Sequence, residues 1–330
     1  MDTSAPPARP LSVLVTSQLP AALRRRVADA AGPGARVHYE AAAPAVVSRL
    51  ADPPAPEAIL AGAFTPEILA AWPVGGRRWL HSTGAGVERL LFPELTASDV
   101  VVTNSRGAHR VAMPEFVLMA VLAWTHHLPA LIRAQTRREW IKPVPDEVAG
   151  KTLGLLGFGE IGRAVAVRAA ALGMRCLALR RHPAAAGPSG VERVYGPEEL
   201  TAFLGACDFV VNSLPLTAET YGLLDARALR AMRPDGVLIN LGRGPTVVEA
   251  DLLRALREGH IGGAVLDVFD VEPLPPDSPF WGLENVLITS HTSGNSVHYL
   301  ERAVDIFCDN LRRFGAGEPL RNVVDKNLGY

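Results

Sequence analysis

Short runs of β-branched and aliphatic residues alternate with longer Ala-, Leu- and Arg-rich stretches from the start of the chain. The segments 12–16 (SVLVT), 36–39 (RVHY), 58–61 (AILA), 78–81 (RWLH) and 100–103 (VVVT) have the length and composition of strands. Residues 20–31, 44–51 and 65–71, lying between them, read as helices. Such alternation implies βαβ crossovers and a parallel sheet. A long helical stretch over about 111–138 and a Pro-rich link at Lys142–Asp146 separate this series from a second. There the pattern predicts six strands, at 152–156, 175–179, 209–212, 237–240, 263–266 and 286–289. Helices are expected near 160–172, 197–204, 225–231 and 249–258, and a last one over about 296–314. The chain therefore reads as α/β, and six strands with crossover helices is the number of a dinucleotide-binding sheet.

Composition narrows the function classes. A length of 330 residues is enough for two domains, and 48% hydrophobic with 20% charged residues is not the make-up of a disordered chain. A formal net charge of −1 removes bulk phosphate or nucleic-acid binding, so any charge-driven chemistry is local. Three scattered cysteines, Cys176, Cys207 and Cys308, make neither a disulfide framework nor a metal cluster, and no metal is expected. The start, MDTSAPPARP, has no apolar stretch of signal-peptide length, and the run Phe116–Trp124 is half of the ~20 residues a bilayer needs. The expectation is a soluble, cytoplasmic protein with neither a membrane nor a nucleic-acid partner.

Gly157-Phe-Gly-Glu-Ile-Gly162 is a G-x-G-x-x-G set between an expected strand and an expected helix. In that setting the first glycine permits the tight turn, the second lets backbone approach a pyrophosphate, and the third allows close helix–strand packing. Gly157, Gly159, Glu160, Ile161 and Gly162 are accordingly cofactor-binding candidates, with the phosphates on free N–H groups at the helix start. At the end of the next strand an NAD site usually carries a carboxylate for the ribose hydroxyls. This chain has Arg180-Arg181-His182 instead. Two guanidinium groups suit a 2′-phosphate, which predicts NADP(H) over NAD(H), with Arg180 the main contact and Arg181 the helper.

Three further segments follow strands of the second series and belong at the carboxyl edge of its sheet. They are Ile239-Asn-Leu-Gly-Arg243-Gly-Pro245, Ala264-Val-Leu-Asp267-Val-Phe-Asp-Val-Glu272-Pro273 and Ile288-Thr-Ser-His291-Thr-Ser-Gly294. Singly, Arg243 could be a surface residue, Glu272 a solvated charge and His291 a strand-end imidazole with a structural bond. In this order after a phosphate loop they point to an active site.

Together with His81-Ser-Thr-Gly-Ala-Gly-Val87, Val102-Thr-Asn104, Met113-Pro-Glu115 and Ser213-Leu-Pro-Leu-Thr217, these motifs make the chain resemble the D-isomer-specific 2-hydroxyacid dehydrogenases over nearly its whole length. The resemblance implies two Rossmann-like or flavodoxin-like parallel-sheet domains, with the cofactor domain (about 105–293) inserted into a discontinuous substrate domain (1–104 and 294–330). It implies an active site in the cleft between them, where NADPH reduces a small 2-oxo acid of the glyoxylate or hydroxypyruvate kind. In that scheme Arg243 holds the substrate carboxylate and polarises the carbonyl, His291 is the general acid, and Glu272 holds its ring and favours imidazolium. The N–H groups of Ala85 and Gly86 bind the substrate carboxylate from the other domain. Asp267 bonds the nicotinamide carboxamide or orients the Arg, and Leu214, Pro215, Leu241, Gly242, Ser293 and Gly294 complete the cofactor site. Residues Leu60–Phe64, His81–Gly86 and Trp281 are possible pocket walls.

Departures from the family pattern, Ser290 for Pro before the His and Gly242 for Ala before the Arg, bear on loop geometry rather than on catalytic groups. By the same resemblance the chain pairs with a second copy through about 111–148, and Trp124, Trp140 and the His126-His127 pair belong to packing. Two other readings share the fold: a nicotinamide-sensing corepressor that binds proteins, and an oxidoreductase of another oxyanion such as phosphite. The second commonly needs a cleft lysine, and the first 141 residues contain none.

Overall fold

Five of the expected strands form one parallel sheet in the computed structural model, which describes residues 10–183 and 190–329. They are β1 (Ser12–Val15), β2 (Arg36–Tyr39), β3 (Ala58–Ala61), β4 (Trp79–Ser82) and β5 (Val101–Asn104), in the order β2-β1-β3-β4-β5. Every residue of β1, β3 and β4 is buried, as continuous apolar runs require when helices cover both faces. On one face, helices Ala21–Ala31 and Tyr299–Ala316 pack Leu23, Val27, Val304, Phe307 and Leu311 onto Val13, Leu60 and Trp79. On the other, Val46, Leu50, Ile68 and Trp72 cover Leu14, Ile59 and Leu80. Each such aliphatic side chain contributes about 1.5–3 kcal/mol by leaving water, so these two layers carry the unit. The buried Trp72 indole loses no hydrogen bond, since its Nε1–H donates to the Pro56 carbonyl at 2.6 Å.

The second sheet holds β6 (Thr152–Leu156), β7 (Arg175–Leu179), β8 (Arg193–Tyr195), β9 (Phe209–Asn212), β10 (Val237–Asn240), β11 (Gly263–Leu266) and β12 (Val286–Ile288). Their order is β12-β11-β10-β9-β6-β7-β8, all parallel. The direction of winding reverses between β6 and β9, and ligands of such sheets bind outside the carboxyl ends at that point. The chain divides into two compact units, Met1–Ala108 with Ser296–Tyr330, and His109–Asn295. The seams lie a few residues beyond those expected at 104 and 294.

Two expectations are corrected. Among the described residues the second sheet has seven strands rather than six. The extra one, β8, is a three-residue edge strand of which only Tyr195 is buried, too short to leave a pattern. The helical stretch over 111–138 is two helices, Ala112–Thr125 and Leu128–Arg137, bent by 64° with His127 left-handed at φ 53°. Pro129 explains the break, because its ring would collide with the Thr125 carbonyl in a continuous helix. That carbonyl instead accepts from the Asp146 N–H at 3.2 Å. The first helix buries Met113, Val117, Ala120 and Val121 in the core of its unit, and Trp124 lies directly on Gly263, where no side chain would fit. No single helix among the described residues is long and apolar enough to cross a membrane. The Pro-rich start at 1–9 lies outside the described residues.

Candidate active site

The three glycines of the phosphate loop have three different environments. Gly157 takes φ 96°, a conformation that side-chain-bearing residues rarely adopt. A Cβ on Gly162 would stand 2.6 Å from the Gly157 carbonyl oxygen, so this glycine lets the helix Glu160–Ala171 close on the loop. A Cβ on Gly159 would meet nothing within 4 Å. The open space therefore lies over the second glycine, at the start of a helix that no side chain caps. Its first N–H groups, including those of Ile161 and Gly162, have no partner within the helix by geometry, and they suit a pyrophosphate. The residues present fit a dinucleotide. Glu160 is exposed beside them.

At the end of β7, Arg180 is half-buried and its N–H donates to the Tyr195 carbonyl at 3.1 Å. Arg181 is exposed, with its guanidinium 3.4 Å from the carboxylate of Glu219 in the turn after β9. No carboxylate occupies the strand end itself, and Glu219 is a neighbour that the sequence reading did not place there.

The segments after β10, β11 and β12 are brought together within the second unit. His291 Nδ1 lies 2.7 Å from Glu272 Oε2, while Glu272 Oε1 accepts from the Phe269 N–H at 3.0 Å. The carboxylate is thus fixed by its own loop and fixes the imidazole in turn. About half of the His291 side chain is exposed, at 52%. Its backbone is left-handed, φ 53°, and the His291 N–H donates to the Asp267 carbonyl at 2.8 Å. Asp267 is buried, and its carboxylate accepts from the Thr289 hydroxyl (2.6 Å) and the N–H groups of Thr292 (2.8 Å) and Ser293 (3.0 Å). The loop carrying His291 is therefore tied down on both sides of the imidazole by one aspartate. Ser293 is buried, and Gly294 is covered by the His109 ring, whose Nδ1 lies 3.0 Å from the Gly294 carbonyl.

Arg243 stands half-buried between two glycines that tolerate no side chain. A Cβ on Gly242 would lie 2.7 Å from the Leu214 carbonyl, and one on Gly244 would collide with the backbone of Phe269. The second contact presses the Arg243 loop against the segment that carries Glu272. The first gives a local reason for glycine at 242. One Arg243 Nη donates to the Gly242 carbonyl at 2.8 Å. Leu241 is buried in the core, so its backbone alone is left for a ligand, whereas Leu214 and Pro215 are half-buried in the loop after β9.

A permanent cation, an imidazole on a carboxylate and a phosphate loop at one sheet's carboxyl edge make a site for nicotinamide-linked redox chemistry. Comparison with known proteins agrees. The model of the NAD-binding domain of D-isomer specific 2-hydroxyacid dehydrogenases matches residues 118–293. The chain belongs to the D-isomer-specific 2-hydroxyacid dehydrogenase family. It is 33% identical to glyoxylate/hydroxypyruvate reductase A of Serratia proteamaculans over 78% of this chain and 82% of that one. A D-isomer specific 2-hydroxyacid dehydrogenase of Xanthobacter autotrophicus, solved with NADPH and MES, superposes with a TM-score of 0.85 at 34% identity, covering 98% of this chain and 100% of its own. An NADPH-dependent glyoxylate/hydroxypyruvate reductase of Sinorhizobium meliloti, solved with NADP and sulfate, gives 0.81 at 31% identity, with coverage of 97% and 100%. As a member of this family the chain is an NAD(P)-dependent oxidoreductase.

This dehydrogenase also contains a supporting pair that sequence reasoning missed. Asn212 and Asn240 are the last residues of adjacent strands and are fully buried. Asn212 donates to Asn240 Oδ1 (3.0 Å) and to Thr246 Oγ1 (2.7 Å), and accepts from the Leu214 N–H (3.2 Å). Asn240 accepts from the Gly242 N–H (3.3 Å), and the Thr246 hydroxyl donates to the Arg243 carbonyl (2.6 Å). The loops on either side of Arg243 thus rest on one sealed polar cluster. The signal was present, an amide closing each of the apolar runs FVVN and VLIN, where a buried polar group requires partners.

Proposed function

We propose that this enzyme reduces a small 2-oxo acid of the glyoxylate or hydroxypyruvate class to the D-2-hydroxy acid, with NADPH as the preferred reductant. The 2.7 Å bond between His291 and Glu272, at the same sheet edge as Arg243, carries the reading. The bound nicotinamide supplies the hydride. Arg243 pairs with the substrate carboxylate and stabilises negative charge growing on the carbonyl oxygen. His291 delivers the proton to that oxygen from Nε2, because Nδ1 faces Glu272, and takes it back in the reverse direction. Glu272 holds the ring and compensates its positive charge. Asp267 acts through the backbone at 289–293 and positions His291. The N–H groups of Ala85 and Gly86, at the carboxyl edge of the other sheet, take the remaining carboxylate charge.

NADPH preference is supported by Arg180 and Arg181 where a carboxylate would repel a 2′-phosphate, and by the NADP(H)-bound relatives. Pairing with a second copy through about 111–148 is supported by exposed apolar residues on that stretch, among them Met119, Ile132, Trp140 and Val144. The test is a panel of 2-oxo acids graded by side-chain size, followed by the absorbance of NADPH or NADH. We expect the smallest members to be turned over fastest, and NADPH to exceed NADH in kcat/KM by at least tenfold. Neutralising Arg180 and Arg181 together should remove that ratio. Equal loss with both cofactors would overturn the cofactor assignment, and a panel with no substrate would overturn the reaction.

A further inference from the structure

The loop Ser82–Gly86 has all four of its first carbonyl oxygens occupied. The Ser105 hydroxyl donates to Ser82 O at 2.9 Å, and the Tyr299 hydroxyl donates to Thr83 O. The Ser105 N–H donates to Gly84 O at 3.1 Å, and Asn104 Nδ2 to Ala85 O at 2.8 Å. On the donor side, the Thr83 N–H goes to Ala61 O (3.0 Å) and the Gly84 N–H to Ser82 Oγ (3.1 Å). Among the described residues no acceptor meets the N–H of Ala85 or Gly86. A backbone whose carbonyls are all engaged, with two adjacent N–H groups left over, is prepared for an anion before one arrives.

Behind the loop runs a directed chain of buried groups. Trp79 Nε1 donates to Thr103 Oγ1 at 2.8 Å, as an indole N–H can do nothing else. Thr103 Oγ1 lies 2.7 Å from His81 Nδ1, and His81 Nε2 lies 3.2 Å from Ser105 Oγ. Ser105 spends its single hydroxyl proton on the Ser82 carbonyl, so it must accept from His81 Nε2–H. His81 Nδ1 then accepts the Thr103 proton, and every group in the chain has one partner per role. The imidazole is fully buried, with Trp79 and Phe307 packed around it. Burial pushes its pKa down to about 3, so the tautomer is neutral and fixed. His81 is thus an internal relay rather than a pocket wall.

We propose that His81, Ser105 and Tyr299 are positioning residues that hold the Ser82–Gly86 loop in its carboxylate-receiving form. This rests on the assignment of Ala85 and Gly86 to the substrate carboxylate. Tyr299 is the first residue of the helix Tyr299–Ala316, so the chain's return from the second unit completes this loop.

The experiment uses the full chain and two readouts, steady-state kinetics with glyoxylate and NADPH, and calorimetric binding of oxalate in the presence of NADP+. In Tyr299→Phe, KM for glyoxylate and Kd for oxalate should both rise roughly five- to tenfold, the loss expected for one hydrogen bond. kcat and KM for NADPH should stay within about twofold. Ser105→Ala should give the same split, and Ser105→Thr, which keeps the hydroxyl, should restore part of it; this second site covers any failure of the tyrosine variant to fold. Wild-type oxalate binding and glyoxylate turnover that both variants leave unaltered would overturn the proposal, as would a loss confined to kcat. If the wild type binds oxalate but reduces no 2-oxo acid, the substrate reading fails while the variants still decide the loop. If it does neither, both fail.

Discussion

The molecule holds two histidines at the carboxyl ends of its two sheets, each with Nδ1 2.7 Å from an oxygen. Geometry alone does not separate them. His81 faces the hydroxyl of Thr103 and is sealed from water, whereas His291 faces the carboxylate of Glu272 with half its side chain in solvent. A sealed imidazole with neutral partners cannot carry charge cheaply, so it serves as a fixed donor–acceptor bridge. An open one beside a carboxylate is compensated when it takes a proton and can deliver that proton to a bound molecule. The backbones differ in the same sense. His81 sits in a regular strand, while His291 is held left-handed by the Asp267-anchored loop, a conformation that persists only where surrounding bonds fix it.

The largest expected effect breaks the comparison at its open end. His291→Asn should lower kcat by roughly 10²- to 10⁴-fold, the range of a lost general acid, with NADPH binding by fluorescence titration near normal. His81→Gln should leave kcat within about tenfold. If the two variants lost turnover equally, the distinction between proton donor and bridge would collapse.

The sealed end is tested by acid. Because the folded His81 has a pKa near 3 and an unfolded histidine about 6.5, below pH 6.5 the unfolded chain binds a proton that the folded chain refuses. Stability from this group is therefore lost as pH falls from 6.5 toward 3, by up to about 1.4 kcal/mol per pH unit. His81→Gln removes the titration. It should be less stable at pH 7 by about 1–3 kcal/mol, for the buried bonds it disrupts, yet lose less on going to pH 4. Denaturant melts at both pH values give the difference directly. Parallel curves for the two proteins would show that His81 titrates normally.

What the sequence made legible follows the same divide between local pattern and distant contact. Strands with continuous apolar runs, such as Ala58–Ala61 and Val237–Asn240, announce themselves, as does the glycine spacing at 157–162. The order of Arg243, Glu272 and His291 after their strands was enough to place them at one edge. Pro129 carries a local signal for the break at 126–127, but the apolar run before it has the pattern of one continuous helix. The three-residue β8 owes its existence to pairing with Leu177–Leu179 and had no signal of its own. The His81–Ser105–Ser82 relay and the Tyr299 contact join residues far apart in sequence, and pairings of that kind carry no periodicity. Asp267 stands out in its motif, but its bonds to three groups in the 289–293 loop belong to the folded chain alone.

The smallest expected effect lies between the two extremes, in the loop that carries Glu272. Asp270 is partly shielded, its N–H donates to Glu249 Oε1 at 2.8 Å, and burial first, Glu249 second, push its carboxyl up to about 6. A carboxyl raised in the fold keeps its proton where the unfolded chain has lost it. Its ionisation penalty is therefore absent below about pH 4 and fully present above about pH 6. Asp270→Asn mimics the neutral form, so it should raise stability at pH 8 by less than about 1 kcal/mol, since the group is largely exposed, and by nothing at pH 4. Melting temperatures at the two pH values measure it. A gain that is equal at both would mean that packing rather than charge is responsible.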